Sequence, residues 1–331
     1  AALVDEVTSI LFMTALVLDL CDYYDVKPVN YVISVVLATN VGSSWTVLGN
    51  PIGIMIALRS GLTFEDFIKT ATPVGIISLI SLMVLVLLWQ RSDIRQLAEK
   101  SKAKTRDAEE AFLDQWAKVE DRRFFIGSAA IFGLVILGLA LHYRFELALG
   151  LEHNTLLVAI SIAGAGIVML WKRAMARELL MRDVDWWTLV FFMFLFAKAG
   201  CLKYVGITNI VSDALMGIGG GNLIILIPVV LWLSGILSSV LDNVLVVATF
   251  FPIIQNLTAQ VGSTVLWWAL LFGACYGGNI TMVGSTANIV SLGILEDRKK
   301  FHMTFMHWFK IGLWGGVVPM AVATLVLYLF R

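Results

Sequence analysis

The stretch GGNITMVGSTAN, residues 277–288, is rich in glycine, hydroxyl and amide side chains although it lies inside a long apolar segment. That segment, residues 264–295, is otherwise apolar enough to be a membrane helix. Glycine permits the chain to leave the helix, and non-helical backbone is tolerated at membrane depth only where protein or a watery cavity surrounds it. The stretch therefore predicts a broken membrane helix with a polar site at its centre.

The composition is that of an all-α polytopic membrane protein, whose main partner is the lipid bilayer. Of 331 residues, 59% are hydrophobic and 15% are charged, whereas ordinary globular proteins have roughly 45–50% apolar residues. The formal net charge is zero, so nothing indicates a nucleic-acid partner. The three cysteines show no CxxC spacing, and no GxxxxGK[ST], HExxH or GxSxG motif occurs. We therefore predict neither an enzyme nor a bound cofactor, except for sodium as a coupling ion.

Apolar runs and basic loops predict how the chain crosses the membrane. Continuous runs that can span about 30 Å as helices are residues 67–90, 124–143, 153–171, 186–204 and 304–330. Lys and Arg concentrate in residues 91–123, 172–182 and 296–300, which the positive-inside rule assigns to the cytoplasm of a prokaryotic inner membrane. Consistent crossing then requires residues 223–256 to form a re-entrant hairpin with its tip at Asp242. Residues 29–58 and 264–295 become two discontinuous crossing helices.

One pattern occurs twice along the chain. VDEV at 4–7 corresponds to LDNV at 241–244, and ATNVGSSWTVLGNP at 38–51 corresponds to GGNITMVGSTANIV at 277–290. The matched pairs include Asp5 with Asp242, Thr46 with Thr281 and Gly49 with Gly284. An odd number of crossings separates the copies, which inverts the second relative to the first. Inverted repeats with discontinuous helices are typical of secondary transporters, whose substrates bind near the midplane.

The repeat also predicts the domain organisation. Residues 1–90 would be the C-terminal part of the first repeat, which is incomplete at its N-terminus in this chain. Residues 91–123 would be a charged cytoplasmic linker, and residues 124–331 would be the second repeat. A second re-entrant hairpin would have its tip at Asp5.

Polar side chains around the two breaks, together with the backbone of Gly42, are candidate ligands for an ion. They are Asn40, Gly42, Ser43, Thr46 and Asn50 in the first copy, and Asn279, Thr281, Ser285, Thr286 and Asn288 in the second. Hydroxyl and carbonyl oxygens suit sodium, for which Asn40, Ser43, Asn279 and Thr281 are the predicted ligands. The same hydroxyls with backbone N–H groups also suit an oxyanion. The alternative is that these small residues only pack helix against helix.

The hairpin tips carry acidic residues, namely Asp5, Glu6 and Asp242. A carboxylate at the centre of a membrane helix costs about 3 kcal/mol, so it commonly marks an ion or proton path. Asp is also a favoured helix N-cap, and capping is compatible with ion binding. We predict Asp5 and Asp242 as ion or proton carriers.

On these paired motifs the chain resembles the ion transporter superfamily, which includes arsenite efflux permeases, NhaD-type sodium/proton antiporters, the P protein, citrate–metal symporters and sodium-coupled dicarboxylate transporters. The resemblance implies an inverted-repeat fold with two re-entrant hairpins, a homodimer and an elevator-like displacement. It assigns Thr8 and Asn243 to the tips beside the acids. DEVTS and GNPIG stand where members often show DNVTT and GDPPN, so Glu6 replaces an amide and Asn50 replaces an acid.

The function that these features predict is secondary active transport, with sodium (cation)/proton antiport first. The aspartates at both tips favour the antiporter and arsenite branches, because the dicarboxylate branch tends to carry neutral tips. The alternatives are an arsenite or other anion permease, a sodium-coupled di- or tricarboxylate symporter, and an ion channel.

Overall fold

The computed structural model describes residues 1–103, 122–152, 155–184 and 186–330, which form helices joined by turns, with no strand among them. In chain order the described helices of ten or more residues are α1 (Glu6–Tyr23), α2 (Val29–Gly42), α3 (Pro51–Ser60), α4 (Phe64–Trp89), α5 (Arg91–Ala103), α6 (Arg122–Leu149), α7 (Thr155–Trp171), α8 (Trp186–Tyr204), α9 (Ile207–Gly219), α10 (Leu223–Ser238), α11 (Asn243–Val261), α12 (Val265–Gly277), α13 (Thr286–Lys299) and α14 (Phe305–Leu327). Two short helical segments, Ala176–Glu178 and Leu179–Asp183, lie between α7 and α8. A π-helical turn, Phe67–Ala71, lies inside α4. Most of the predicted charged linker, residues 104–121, lies outside the described residues.

Several of these helices are long and apolar enough to cross a membrane. By length and composition they are α4, α6, α11 and α14 with its 3-10 extension to Phe330, and the bent pair α8 and α9 adds a fifth span if it is counted as one. The five predicted continuous runs coincide with α4, α6, α7, α8 and α14, which confirms a polytopic all-α architecture. Helix α9 was not predicted, because Thr208, Asn209, Ser212 and Asp213 interrupt its apolar pattern.

The chain forms two compact units. The first contains Ala1–Leu62, Asp66–Leu97 and Leu195–Arg331, and the second contains Thr63–Glu65 and Ala98–Phe194. Within the second unit α6 and α7 pack together, and the Glu146 carboxylate accepts a 2.8 Å hydrogen bond from Leu156 N in the first turn of α7. This grouping does not test the predicted repeat boundaries, which stay a prediction.

Close contact between α10 and α12 forms the core of the first unit. Every residue of α12 is buried. A Cβ added to Gly277 would lie 2.2 Å from the Gly235 carbonyl oxygen, and one added to Gly273 would lie 2.3 Å from that of Leu231. The Ser238 hydroxyl also donates to Ala274 O at 2.7 Å. Small residues thus bring the two backbones together, as is common between membrane helices, and hold the end of α12 beside the turn between α10 and α11.

Candidate functional site

The first of the two predicted discontinuous helices is interrupted between α2 and α3, over residues 43–50. The Ser43 hydroxyl turns back to Asn40 O at 3.0 Å, and the Asn50 side chain caps α3 by accepting from Gly53 N at 2.8 Å. Pro51 is the first residue of α3, where its missing N–H is not needed. A Cβ on Gly49 would lie 2.1 Å from Ser43 O, so the break closes on itself only with glycine there.

The second interruption lies between α12 and α13, over residues 278–285, and has the same length. Ser285 caps α13 by accepting from Ala287 N at 3.2 Å. The Asn288 amide donates to Gly278 O at 2.8 Å and to Thr281 O at 2.9 Å, which satisfies carbonyl groups that the broken helix leaves free. Both predicted helix breaks are therefore present.

The two breaks share an equivalent hydrogen bond to the segments that precede the capping aspartates. Thr46 donates its hydroxyl to Ala2 O, and Thr281 donates to Ser239 O. Ala2 and Ser239 stand at the same offset before Asp5 and Asp242. Each threonine oxygen also accepts from the backbone N–H two residues later, at 3.1 Å from Leu48 and 3.3 Å from Val283. The correspondence read from the two sequence motifs thus extends to their local structure.

These threonine hydrogen bonds are expected to hold the tips to the breaks. Thr46→Val and Thr281→Val keep the side-chain shape but remove the hydroxyl, so each should lower the free energy of unfolding by about 1–2 kcal/mol. Thermal unfolding of the purified protein in detergent measures this loss. Thr249→Val, which removes a hydroxyl that bonds only within α11, is the matched control and should cost less. Equal losses in all three variants would contradict the proposed connection.

Amide side chains join the two breaks to each other. The Asn40 amide donates to Asn279 Oδ1 at 2.8 Å and to Asn288 Oδ1 at 2.9 Å, while its own oxygen accepts from the Ser285 hydroxyl at 3.2 Å. Asn279 in turn donates to Leu37 O and Gly315 O. All four of these side chains are fully buried. The structure therefore brings the predicted ligands of both copies into one cluster.

The two predicted tip aspartates are helix N-caps. Asp5 Oδ2 accepts from Val7 N at 3.0 Å and Thr8 N at 3.3 Å, and Asp242 Oδ1 accepts from Val244 N at 3.0 Å. Asp242 Oδ2 also accepts from the Thr286 hydroxyl at 3.0 Å, which connects this tip to α13. Both aspartates are half-buried, whereas Thr8 and Thr286 are exposed at the edge of the cluster. Gly42 ends α2, and a Cβ added there would lie 3.8 Å from the Cβ of Ala1, an ordinary contact distance.

Glu6 and Asn243, the first residues of α1 and α11, are buried between the tips. Glu6 is 2% exposed and Asn243 is fully buried, and Asn243 Nδ2 lies 3.5 Å from Glu6 Oε1. Within the described part of the chain, Glu6 Oε2 and Asn243 Oδ1 have no hydrogen-bond partner. This pair, which directly follows the two caps in the chain, therefore contains two buried oxygens without a partner.

Two further pairs of side chains complete the cluster. The Asn50 amide donates to Cys275 Sγ at 3.1 Å, and the Ser44 hydroxyl donates to the Tyr276 hydroxyl at 3.2 Å. Cys275 and Tyr276 were not predicted as site residues, because both lie in an apolar run where packing is the usual role. Their position directly before Gly277 is the only sequence signal that could have indicated them.

The buried charge of this cluster is acidic. Asp5, Glu6 and Asp242 all lie close enough to interact electrostatically. Among the described residues no lysine or arginine is buried. The arrangement can attract a cation through its carboxylates and offer it amide and hydroxyl oxygens as ligands.

Apolar helices, two of which are interrupted by buried polar segments, define a polytopic membrane transporter. The chain belongs to the Citrate transporter (CitMHS) family, whose model matches residues 1–273. This finding confirms the resemblance to the ion transporter superfamily through its citrate branch.

Similar proteins are found in bacteria and mammals. An uncharacterized transporter of Mycobacterium tuberculosis (strain ATCC 25618 / H37Rv) is 30% identical over 333 residues, which cover 99% of this chain and 74% of the relative. An uncharacterized transporter of Synechocystis sp. is 24% identical, with 98% and 73% covered. The P protein of Homo sapiens is 26% identical over 94% of this chain and 45% of its own length. The names of the two bacterial relatives agree with transport across a membrane.

Proposed function

We propose that this protein is a secondary active transporter that exchanges a cation, with sodium as the first candidate, for protons. The observation that carries the proposal is the cluster of the buried Glu6 and the half-buried Asp5 and Asp242 beside amide and hydroxyl groups. A cation balances the negative charge of such a cluster, whereas a free anion would need basic groups. The role is transport and not catalysis, and the bacterial relatives favour a prokaryotic inner membrane.

The proposed framework is an inverted repeat with two re-entrant hairpins, whose tips carry Asp5 and Asp242. The equivalent caps and the paired threonine hydrogen bonds support it. Helix α11 is long enough to cross a membrane by itself, so its re-entrant path is part of the proposal. A homodimer with elevator-like displacement remains an expectation from the superfamily resemblance.

The proposed sodium ligands are Asn40, Ser43, Asn279 and Thr281. Each amide oxygen has two lone pairs, and the described hydrogen bonds to Asn40 Oδ1 and Asn279 Oδ1 occupy one on each. Ser43 lies beside both Asn40 and Glu6. Asn40, Ser43 and Asn279 could therefore bind a cation with small side-chain rotations, and Asn288 connects the Thr281 backbone to the same cluster.

Citrate transport is the second candidate, because the matching family is described by that name. Citrate carries several negative charges, so we expect the acidic cluster to accept it only together with a bound divalent cation. An arsenite or other anion permease would meet the same charge conflict.

Flux into proteoliposomes tests these alternatives. We expect added sodium to dissipate an imposed pH gradient in a saturable manner, while arsenite and dicarboxylates have no effect. Liposomes without protein give the background leak. A gradient dissipated only by citrate with Mg²⁺ would support the second candidate and contradict the first, and a flux that does not saturate would indicate a channel.

A further inference from the structure

Glu6 and Asn243 hold equivalent positions in the two copies and contact each other. Each follows its capping aspartate directly and begins its helix. The first copy has an acid where the second has an amide, and Asn243 Nδ2 approaches Glu6 Oε1 at 3.5 Å. The two tips therefore meet through one titratable side chain and one that cannot titrate.

The unpartnered atoms of this pair are both oxygens, Glu6 Oε2 and Asn243 Oδ1. If Glu6 is ionised, both atoms are hydrogen-bond acceptors, and neither has a donor among the described residues. Ser43 lies beside Glu6, but its hydroxyl donates to Asn40 O. Burying a charge or a polar group without a partner is costly, so this state requires compensation by a ligand.

One proton satisfies both oxygens. A neutral Glu6 can donate from Oε2 to Asn243 Oδ1, while Asn243 Nδ2 donates to Glu6 Oε1, which gives a two-point acid–amide pair. A sodium ion satisfies the same two oxygens by accepting their lone pairs. The proton and the cation cannot occupy this position together, so binding of one requires release of the other.

The neighbouring aspartates, Asp5 and Asp242, differ from Glu6 because their carboxylates accept hydrogen bonds from helix starts. Asp5 and Asp242 direct their carboxylates to N–H groups of their own helices and, for Asp242, to the Thr286 hydroxyl. Both carboxylates thus face the partial positive charge that N–H groups carry at a helix start. The groups that face Glu6 in the described structure are these two aspartates and the Cys275 thiol. The negative charge of the two aspartates favours a proton or a cation on the pair.

We propose that Glu6 and Asn243 form the proton-binding pair of this protein, in which a proton on Glu6 and the transported cation compete for Glu6 Oε2 and Asn243 Oδ1. This inference rests on the proposed cation/proton exchange and assigns its proton to one residue. Asp5 and Asp242 then shape the tips and supply charge to the cation. Because Asn243 does not titrate, the pair binds a single proton.

The test uses four variants of the purified protein in proteoliposomes. Glu6→Gln keeps size and hydrogen bonding but carries neither charge nor proton, and should lower sodium flux driven by the pH gradient about 100-fold. The exchange variant, Glu6→Asn with Asn243→Glu, restores one acid to the pair and should recover the flux to within about tenfold of wild type. Asn243→Asp adds a second acid and should move the pH profile of exchange to higher pH by about one unit.

Glu146→Gln is the matched control, because Glu146 is also 2% exposed but its oxygen accepts from Leu156 N, which glutamine also allows. The Glu146→Gln variant should leave the pH profile of cation/proton exchange unchanged. A Glu6→Gln variant with wild-type coupling, or an Asn243→Asp variant with the wild-type pH profile, would overturn the assignment. The pH profile of Asn243→Asp keeps the test valid if Glu6→Gln fails to fold. A wild-type protein without gradient-driven cation flux would instead contradict the proposed exchange itself.

Discussion

Replacement of Asn40 by leucine should abolish transport and lower the free energy of unfolding by roughly 2–5 kcal/mol. Leucine has a similar size, so the change removes the amide without opening a large cavity. Asn279 Oδ1 and Asn288 Oδ1 would each lose their donor, and the Ser285 hydroxyl would lose its acceptor. Because Asn40 joins the two breaks, we expect the loss of ion binding to accompany the loss of stability.

The matched control for Asn40 is Asn256→Leu. Asn256 donates to Asn209 Oδ1 at the same 2.8 Å distance, but at an exposed position. Water can replace that hydrogen bond, so the expected change is within about 0.5 kcal/mol. Thermal unfolding in detergent and flux in proteoliposomes measure both variants. Similar behaviour of the two would mean that the buried amide cluster is not a special feature of the site.

Gly49→Ala should disrupt the first break and cost roughly 3–5 kcal/mol, with loss of transport. The added Cβ would lie 2.1 Å from Ser43 O and 2.8 Å from Ser43 C, and both contacts are with backbone that cannot rotate away. The chain between α2 and α3 would have to open, which would displace Asn50 from Ser43 and from Cys275.

Gly293→Ala is the control for this substitution. Gly293 lies within α13, and a Cβ there meets no atom within 4 Å. Alanine should therefore be neutral or stabilise the helix by about 1 kcal/mol, because glycine is the weaker helix former. A stable, transport-competent Gly49→Ala protein would show that the break does not need to be as tight as the structure has it.

The helix breaks could be predicted from sequence because their causes are local. Asn50 and Pro51 start α3, Ser285 starts α13, and glycines at 49 and 284 allow the tight approach between the ends. The capping function of Asp5 and Asp242 follows from the same short-range rules. Helix α9 escaped prediction because its polar residues resemble a loop when its packing partners are unknown.

The side-chain partners within the site could not be predicted in this way. The sequence predicts Asp5 and Asp242 as carriers because an acid in a membrane segment commonly marks an ion path, and that role stays a prediction. What the sequence could not indicate is that, among the described residues, Glu6 has a buried carboxyl oxygen without a hydrogen-bond partner. Tyr276 and Cys275 joined the cluster without a distinctive sequence signal, since their neighbours Ser44 and Asn50 come from the other break.

By itself the sequence determined the helical class, the positions of the breaks and the repeated motifs, because helix formation, capping and apolar length depend on neighbouring residues. Only the tertiary structure decided that Asn40 bonds to Asn279 and Asn288, and that Glu6 faces Asn243. Those contacts join residues far apart in the chain, and their geometry depends on how closely the small residues of α10 and α12 allow the backbones to pack.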